Sequence, residues 1–235
     1  MTASHDDRLI LAMDAAGATC SVALGVTYGA NRPWDLLMLA ARKVDLRHGH
    51  AAILVPMVDE VIRAAGRTLT AVDAIAVGIG PGGFTGLRIA LATARGFGLA
   101  LDKPVIGITN FQAAAANLNA AERAAHAGDI LVFIDSRREE PYVAHLAADL
   151  SLRAVPRFMS LAEIGGLVDL AQPAIVTGDG LALWPSDWPG TTRATPSSAD
   201  AEAVLRLAAD PAQRFAHKAV PLYLREPDVS LPKAV

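Results

Sequence analysis

The sequence predicts an α/β fold built from two related halves, and three observations support this prediction. Short apolar strands alternate with helical segments along the chain. Each half begins with an apolar strand that ends in an aspartate, at Asp14 and at Asp135. A second strand follows each of them after a short turn, which is typical of a hairpin. The two halves do not match in sequence, so the duplication is predicted at the level of elements only.

In the first half, an antiparallel meander of three strands precedes alternating helices and strands. Strands are predicted over residues 9–14, 20–26, 36–41, 74–79 and 104–108, and helices over 50–65, 87–102 and 111–121. In the second half, strands are predicted over 130–135, 142–146, 153–159 and 174–177, helices over 161–170 and 199–209, and a loop over 184–198.

Composition limits the classes to which the protein can belong. Of 235 residues, 52% are hydrophobic and 19% are charged, which excludes intrinsic disorder. No apolar run approaches the roughly 20 residues of a membrane helix. The net charge of -3 argues against autonomous nucleic-acid binding. The acidic start MTASHDDRLI differs from a signal peptide, and the single Cys20 has no partner for an internal disulfide. We therefore expect a cytoplasmic protein without a membrane segment.

The most informative segment is GIGPGGFTGLR, residues 78–88, which joins a predicted strand to a predicted helix. Glycine allows another backbone or a ligand to approach closely, and the free amides of a helix start suit an anion. The segment also satisfies G-x-G-x-x-G, but Pro81 removes an amide and the strand does not open a βαβ series. A tight turn that packs the helix onto the sheet is therefore the favoured interpretation.

Few other residues suggest chemistry. Asp14 ends the first strand and could hold Mg²⁺ or face a phosphate, or it could simply accept turn amides. The hypothetical weak nucleotide site consists of Asp14, Gly82, Gly83 and Thr85. His48 and His50 lack a third ligand nearby, so no metal site is predicted. No triad of catalytic residues can be assigned from spacing.

Small residues recur every four positions on the helix that follows the glycine segment. Ala90, Ala94 and Gly98 form this stripe, with Phe97 beside it. Such a stripe lets a neighbouring element approach closely, either the chain's own sheet or another subunit. The sequence leaves both interpretations open.

Several segments together resemble the TsaB (YeaZ) family. They are ILAMDAAGATCSVAL, HAAILVPMVDEVI, GPGGFTGLR, IDSRREEPYVA, VTGDG and PLYLR, and they span Ile10 to Arg225 in the family's order. The resemblance implies a two-lobed actin-like/Hsp70/sugar-kinase (ASKHA) fold with duplicated mixed-sheet lobes. Residues 1–108 would form the first lobe, with the glycine segment and the partner-contact helices. Residues 109–235 would form the second, with a tail that could pack back on the first.

The resemblance also implies a function. Members of this family are subunits of the bacterial machinery that makes threonylcarbamoyladenosine in tRNA. The paralogue TsaD transfers threonylcarbamoyl from its adenylate to the adenosine beside the anticodon, and the ATPase TsaE joins the pair. The implied partners are therefore TsaD and TsaE, and in isolation the chain could form a homodimer. Contact with tRNA would occur only through the complex, and no cofactor is implied.

One departure from the catalytic paralogue bears on activity. TsaD-like chains carry His-x-x-x-His for a metal, whereas Asn110 and Ala114 occupy these positions here by alignment. Alanine offers no ligand atom, and an amide is a poor substitute for imidazole. The sequence thus predicts a non-catalytic subunit with no metal and no catalytic residues.

The resemblance places a partner contact on the helices before and after the glycine segment. The candidate contact residues are His50, Leu54, Met57, Val61, Ala90, Ala94 and Phe97. Two alternatives remain: a small-molecule kinase or ATPase on the same fold that uses Asp14 and the glycine segment, and a homodimeric scaffold without an enzyme partner.

Overall fold

The computed structural model describes residues 7–28, 36–46, 48–119, 121–122, 128–164, 174–183, 191–210 and 215–225. The strands are β1 (Arg8–Asp14), β2 (Thr19–Thr27), β3 (Leu36–Asp45), β4 (Ala74–Gly78), β5 (Val105–Ile108), β6 (Asp129–Ile134), β7 (Tyr142–Leu146), β8 (Arg157–Phe158), β9 (Ala174–Thr177), β10 (Thr191–Arg193) and β11 (His217–Lys218). The helices are α1 (His50–Ala64), α2 (Phe84–Leu101), α3 (Asn110–Ala116), α4 (Leu161–Ile164) and α5 (Ala201–Ala208). In the described part of the chain, no helix has the length and apolarity needed to cross a membrane.

The strands form two mixed sheets that share one arrangement. The first sheet has the order β11-β5-β4-β1-β2-β3, and the second has the order β10-β9-β6-β7-β8. Strand β1 pairs antiparallel with β2 and parallel with β4, and β6 pairs antiparallel with β7 and parallel with β9. Strands β1 and β6 therefore occupy equivalent places, and the predicted duplication of mixed-sheet lobes is confirmed.

Layers of helices cover the sheets, and this explains why the central strands are apolar throughout. Helices α1 and α2 pack on one face of the first sheet. Helices α3 and α5 contribute to a core that also contains residues of both sheets. The outer face of the second sheet packs against Ile164 of α4. Strands β1 and β4 are covered on both faces, so they are buried almost without interruption.

Late segments of the chain return to the first sheet. Helix α5 packs on β1, β2 and β4, and β11 pairs antiparallel with β5. The amide of Leu222 also donates to the carbonyl of Ile79 at 2.8 Å. A division between residues 108 and 109 therefore places every strand of the first sheet except β11 in the first lobe and every strand of the second sheet in the second lobe. Helix α5, however, comes from the second part of the chain and packs on the first sheet.

Several predicted boundaries differ from the structure. Helix α2 begins at Phe84 rather than at residue 87, because Gly86 lies inside the helix, where the sequence suggested a break. Helix α3 ends at Ala116 instead of residue 121, and β8 is only two residues long. Strands β10 and β11 were not predicted, since neither run is apolar. Residues 165–170 of one predicted helix and 184–190 of the predicted loop lie outside the described residues.

The turn between β1 and β2 lies directly against the glycine segment and the start of α2. The amide of Gly83 donates to the carbonyl of Ala16 at 2.6 Å. A Cβ atom on Gly86 would overlap the carbonyl oxygen of Ala15, and one on Gly78 would overlap the carboxylate of Asp14. Glycine is therefore required at residues 78 and 86 because backbone or a buried side chain occupies the space of a Cβ.

This contact predicts that Gly86→Ala destabilises the chain, by about 1–3 kcal/mol or more, because α2 must move away from the turn. Gly96→Ala on the same helix is the matched control, since its Cβ would meet no atom within 4 Å. We expect the control to stabilise the chain by about 0.5–1 kcal/mol, because alanine favours the helix. Urea unfolding of both variants measures the difference, and equal effects would contradict this account of Gly86.

Candidate functional site

The buried carboxylate of Asp14 lies where the two lobes meet. The side-chain amide of Asn110 donates to its Oδ1 at 3.0 Å, and the Ala16 amide donates to its Oδ2 at 3.3 Å. The Oδ1 of Asn110 accepts from the Gly80 amide at 2.9 Å. This chain of bonds ties the end of β1 to the glycine segment and to the first residue of α3. Asp14 therefore has the structural role that the sequence left open, in which it accepts a turn amide.

Burial controls the protonation of this carboxylate. Asp14 has no exposed surface, and desolvation raises its pKa to about 7. The hydrogen bonds from Asn110 and Ala16 lower the pKa, but by less than burial raises it. Asp179, in the short 3-10 turn that follows β9, also has a raised pKa, chiefly because of burial. Its Oδ1 accepts the Asp135 amide at 2.9 Å. Asp179 and Asp135 line the small space between the lobes, whereas Asp14 is buried behind it.

The space between the lobes is almost filled. The cavity there has a volume of about 10 Å³ and is lined by Ala16, Gly17, Pro81, Gly82, Asn110, Ile134, Asp135, Arg137, Asp179 and Ala199. That volume accommodates about one water molecule. A nucleotide would not fit in this cavity without separation of the lobes.

The four residues of the hypothetical nucleotide site do not converge on one cavity. Asp14 is fully buried, with both carboxylate oxygens already bonded. Gly82 and Gly83 border a separate cavity of about 450 Å³, and Gly83 and Thr85 border another of about 850 Å³ beside the start of α1. The expectation for Asp14 is corrected, because its side chain is used inside the chain and has no surface for a ligand.

The structure also corrects most of the predicted partner-contact residues. Five of them are buried within the chain, in the core between α1, α2 and the first sheet: Leu54, Met57, Val61, Ala90 and Ala94. Their spacing correctly marks a buried face, but that face packs on the chain's own sheet. His50 and Phe97 are partly exposed and stay available to a partner.

The surface of this helix pair is formed by the residues between the buried positions. Val55 is 49% exposed and Leu99 is 88% exposed, and both are large apolar side chains. Other exposed residues of the two helices are the small Ala51, Ala52, Pro56, Ala92, Gly96 and Ala100 and the charged Asp59, Arg63 and Arg95. The apolar spacing predicts the buried residues and not these exposed ones, although the positions that the buried stripe leaves over identify them.

His50 occupies a polar corner at the start of α1. Partial burial lowers its pKa, and His48 adds to the lowering. Its Nε2 is buried without a hydrogen-bond partner in the described structure. No group of three or more His, Cys, Asp or Glu side chains suited to a metal ion occurs among the residues that the structure describes.

Comparison with known proteins identifies the family. A family model described as TsaD, tRNA N6-adenosine threonylcarbamoyltransferase, matches residues 45–179, which is more than half of the chain. The protein Rv3421c of Mycobacterium tuberculosis is 34% identical over 204 residues, covering 86% of this chain and 88% of that protein. The tRNA threonylcarbamoyladenosine biosynthesis protein TsaB of Escherichia coli is 34% identical over 140 residues, covering 60% of this chain and 55% of that protein. The chain belongs to the TsaB (YeaZ) family.

Solved structures agree with this assignment. YeaZ from Pseudomonas aeruginosa is 28% identical, with a TM-score of 0.74 over 92% of this chain and all of that chain. A further crystal structure, of a Pseudomonas aeruginosa protein with similarity to peptidase YeaZ, gives a TM-score of 0.76 at 28% identity. The resemblance and the two-lobed actin-like fold that it implied are therefore confirmed.

The buried carboxylate of this TsaB-family chain predicts a pH-dependent stability. Between about pH 4 and pH 7 the folded chain keeps a proton on Asp14 that the unfolded chain releases, since the pKa rises from 3.8 to about 7. The free energy of unfolding therefore falls as the pH rises through this interval, by about 4 kcal/mol from this group. Asp14→Asn removes the titration and should flatten the fall.

Urea unfolding at pH 5 and pH 8 measures this effect. The exposed Asp102→Asn is the control and should keep the wild-type difference between the two pH values. If Asp14→Asn shows the same difference as the wild type, Asp14 does not titrate in this interval and the prediction is wrong.

Proposed function

We propose that this chain is a non-catalytic subunit of the machinery that forms threonylcarbamoyladenosine in tRNA. It supports the transfer, catalysed by TsaD, of threonylcarbamoyl from its adenylate to the adenosine beside the anticodon, and TsaE joins the complex. Relatives from Escherichia coli and Haemophilus influenzae, 34% and 35% identical over 140 residues, are tRNA threonylcarbamoyladenosine biosynthesis proteins. This relationship supports the pathway, and the geometry between the lobes supports the non-catalytic role.

The filled space between the lobes is the observation that carries the non-catalytic role. Asn110, at one of the two aligned metal positions, uses its amide to bond Asp14 and its oxygen to accept from Gly80. Ala114, at the other position, is buried and apolar. The adjoining cavity of about 10 Å³ leaves no room for an adenylate. A subunit that acts by contact fits these facts better than a transferase or a kinase.

The outer face of α1 and α2 is the proposed contact with TsaD. It presents Val55 and Leu99 together with exposed alanines and Gly96, and the charged Asp59, Arg63 and Arg95 are exposed on the same helices, where His50 and Phe97 are partly exposed. Small side chains allow another helix to approach closely, and the large apolar ones supply area to bury. A specific contact usually buries roughly 800 Å² on each partner.

Reconstitution with purified components tests the proposed role. The chain alone, with tRNA and the threonylcarbamoyl-adenylate supply, should form no threonylcarbamoyladenosine. TsaD and TsaE without this chain should form little, and all three together should restore the reaction. Mass spectrometry of the tRNA nucleosides measures the product. Product formation by this chain alone would refute the proposal.

Val55→Glu should weaken the complex with TsaD at least tenfold, because the glutamate would place a charge in an apolar contact. The thermal unfolding midpoint should change little, since Val55 is half exposed. Val155→Glu is the matched control, because Val155 is also exposed but lies beside the second sheet. Light scattering of the mixtures measures the complex. Unchanged complex formation by Val55→Glu would place the contact elsewhere, and a change in the mass of the chain alone would instead indicate a homodimer on this face.

A further inference from the structure

Three segments that are far apart in the sequence meet at one cavity of about 450 Å³. They are the glycine segment with the start of α2, the turn between β6 and β7, and the PLYLR segment at 221–225. We call this cavity the arginine pocket, and its lining residues are Pro81, Gly82, Gly83, Phe84, Leu87, Arg88, Ser136, Arg137, Arg138, Tyr142, Leu222, Tyr223, Leu224 and Arg225. Its volume lies in the usual range for small-molecule sites.

Bonds to the first lobe hold the PLYLR segment against this pocket. The Leu222 amide donates to the carbonyl of Ile79 at 2.8 Å. The Nε of Arg88 donates to the hydroxyl of Tyr223 at 2.8 Å. Arg95 donates to the carbonyl of Ala219. The wall is therefore anchored by several independent bonds, and its position does not depend on a ligand.

Four arginine residues line the pocket. Arg88, Arg137, Arg138 and Arg225 line it, and none of its described lining residues is acidic. Arg137 has an ion pair with Asp135 at 3.5 Å, whereas the hydroxyl that accepts from Arg88 is neutral. Guanidinium groups bind phosphate or carboxylate through two parallel hydrogen bonds.

Aromatic rings accompany the charge. The rings of Phe84 and Tyr223 stack with centroids 5.8 Å apart, and each residue is 45% exposed. The guanidinium carbon of Arg88 lies 3.6 Å from the centroid of the Phe84 ring. Exposed rings beside arginine provide the flat surfaces on which nucleobases stack. The positive end of the α2 dipole lies at the same place and favours a phosphate.

We propose that the arginine pocket binds a nucleotide, either free or as part of an RNA strand. Its phosphate contacts the guanidinium groups, and its base stacks on the exposed rings of Phe84 and Tyr223. This site is separate from the small cavity beside Asp14, although Pro81, Gly82 and Arg137 border both. The inference does not depend on the proposed function, because it rests only on the residues of the pocket.

Isothermal titration of the full chain tests the site with four probes: AMP, ATP, pyrophosphate and a single-stranded RNA hexanucleotide. Arg88→Gln should weaken binding of the preferred nucleotide at least tenfold, as should Arg138→Gln, which leaves the bond between Arg88 and Tyr223 in place. Arg67→Gln is the control, because Arg67 is exposed and does not line the pocket. Circular dichroism should show unchanged folding for all three variants.

Each outcome decides the proposal. Tighter binding of AMP or ATP than of RNA supports a free nucleotide, and tighter binding of RNA supports a strand. Pyrophosphate binding as tightly as ATP would overturn the role of the rings. No binding of any probe at millimolar concentration would overturn the site. Binding that is lost in Asp14→Asn but kept in Arg88→Gln and Arg138→Gln would overturn it too, because the nucleotide would then lie between the lobes.

Discussion

The contact between the β1–β2 turn and the glycine segment is the constraint on which the rest of this structure depends. The backbone at Ala15 lies where a Cβ of Gly86 would be, and the Asp14 carboxylate lies where a Cβ of Gly78 would be. The bond between Asp14 and Asn110 then joins this contact to α3, at the boundary between the lobes. Close backbone packing thus fixes the glycine segment on the β1–β2 turn within the first lobe, and one buried polar bond ties that contact to the start of α3.

That same constraint leaves the proposed contact face and the arginine pocket at the surface of the chain. Side chains and backbone already occupy the space between the lobes, so little volume and few free polar groups remain there. Chemistry on a bound nucleotide requires both, together with a positioned charge. The outer face of α1 and α2 and the arginine pocket, by contrast, have exposed apolar or charged side chains. This difference between the interior and the surface supports the proposal that the chain acts through contacts at its surface.

The net charge of the whole chain says little about the charges at its individual sites. The chain carries a charge of -3, and this value argues against autonomous nucleic-acid binding. Folding nevertheless gathers Arg88, Arg137, Arg138 and Arg225 at one cavity, while Asp14 and Asp179 lie inside. Total charge governs solubility and long-range attraction, whereas recognition depends on the few groups within hydrogen-bonding distance.

The sequence by itself determined the order of the main elements, because apolar periodicity and glycine placement are local properties. The strand at 142–146 and the helix that begins at His50 needed no tertiary information. Only the tertiary structure decided what covers each apolar face. The helical pattern that contains Leu54 in α1, and the one that contains Ala94 in α2, would be the same whether a sheet or a partner buried these residues. The tertiary structure also decided the role of Asp14 and the meeting of Arg88 with Tyr223, 135 residues apart, because such contacts depend on how the chain returns to its first sheet.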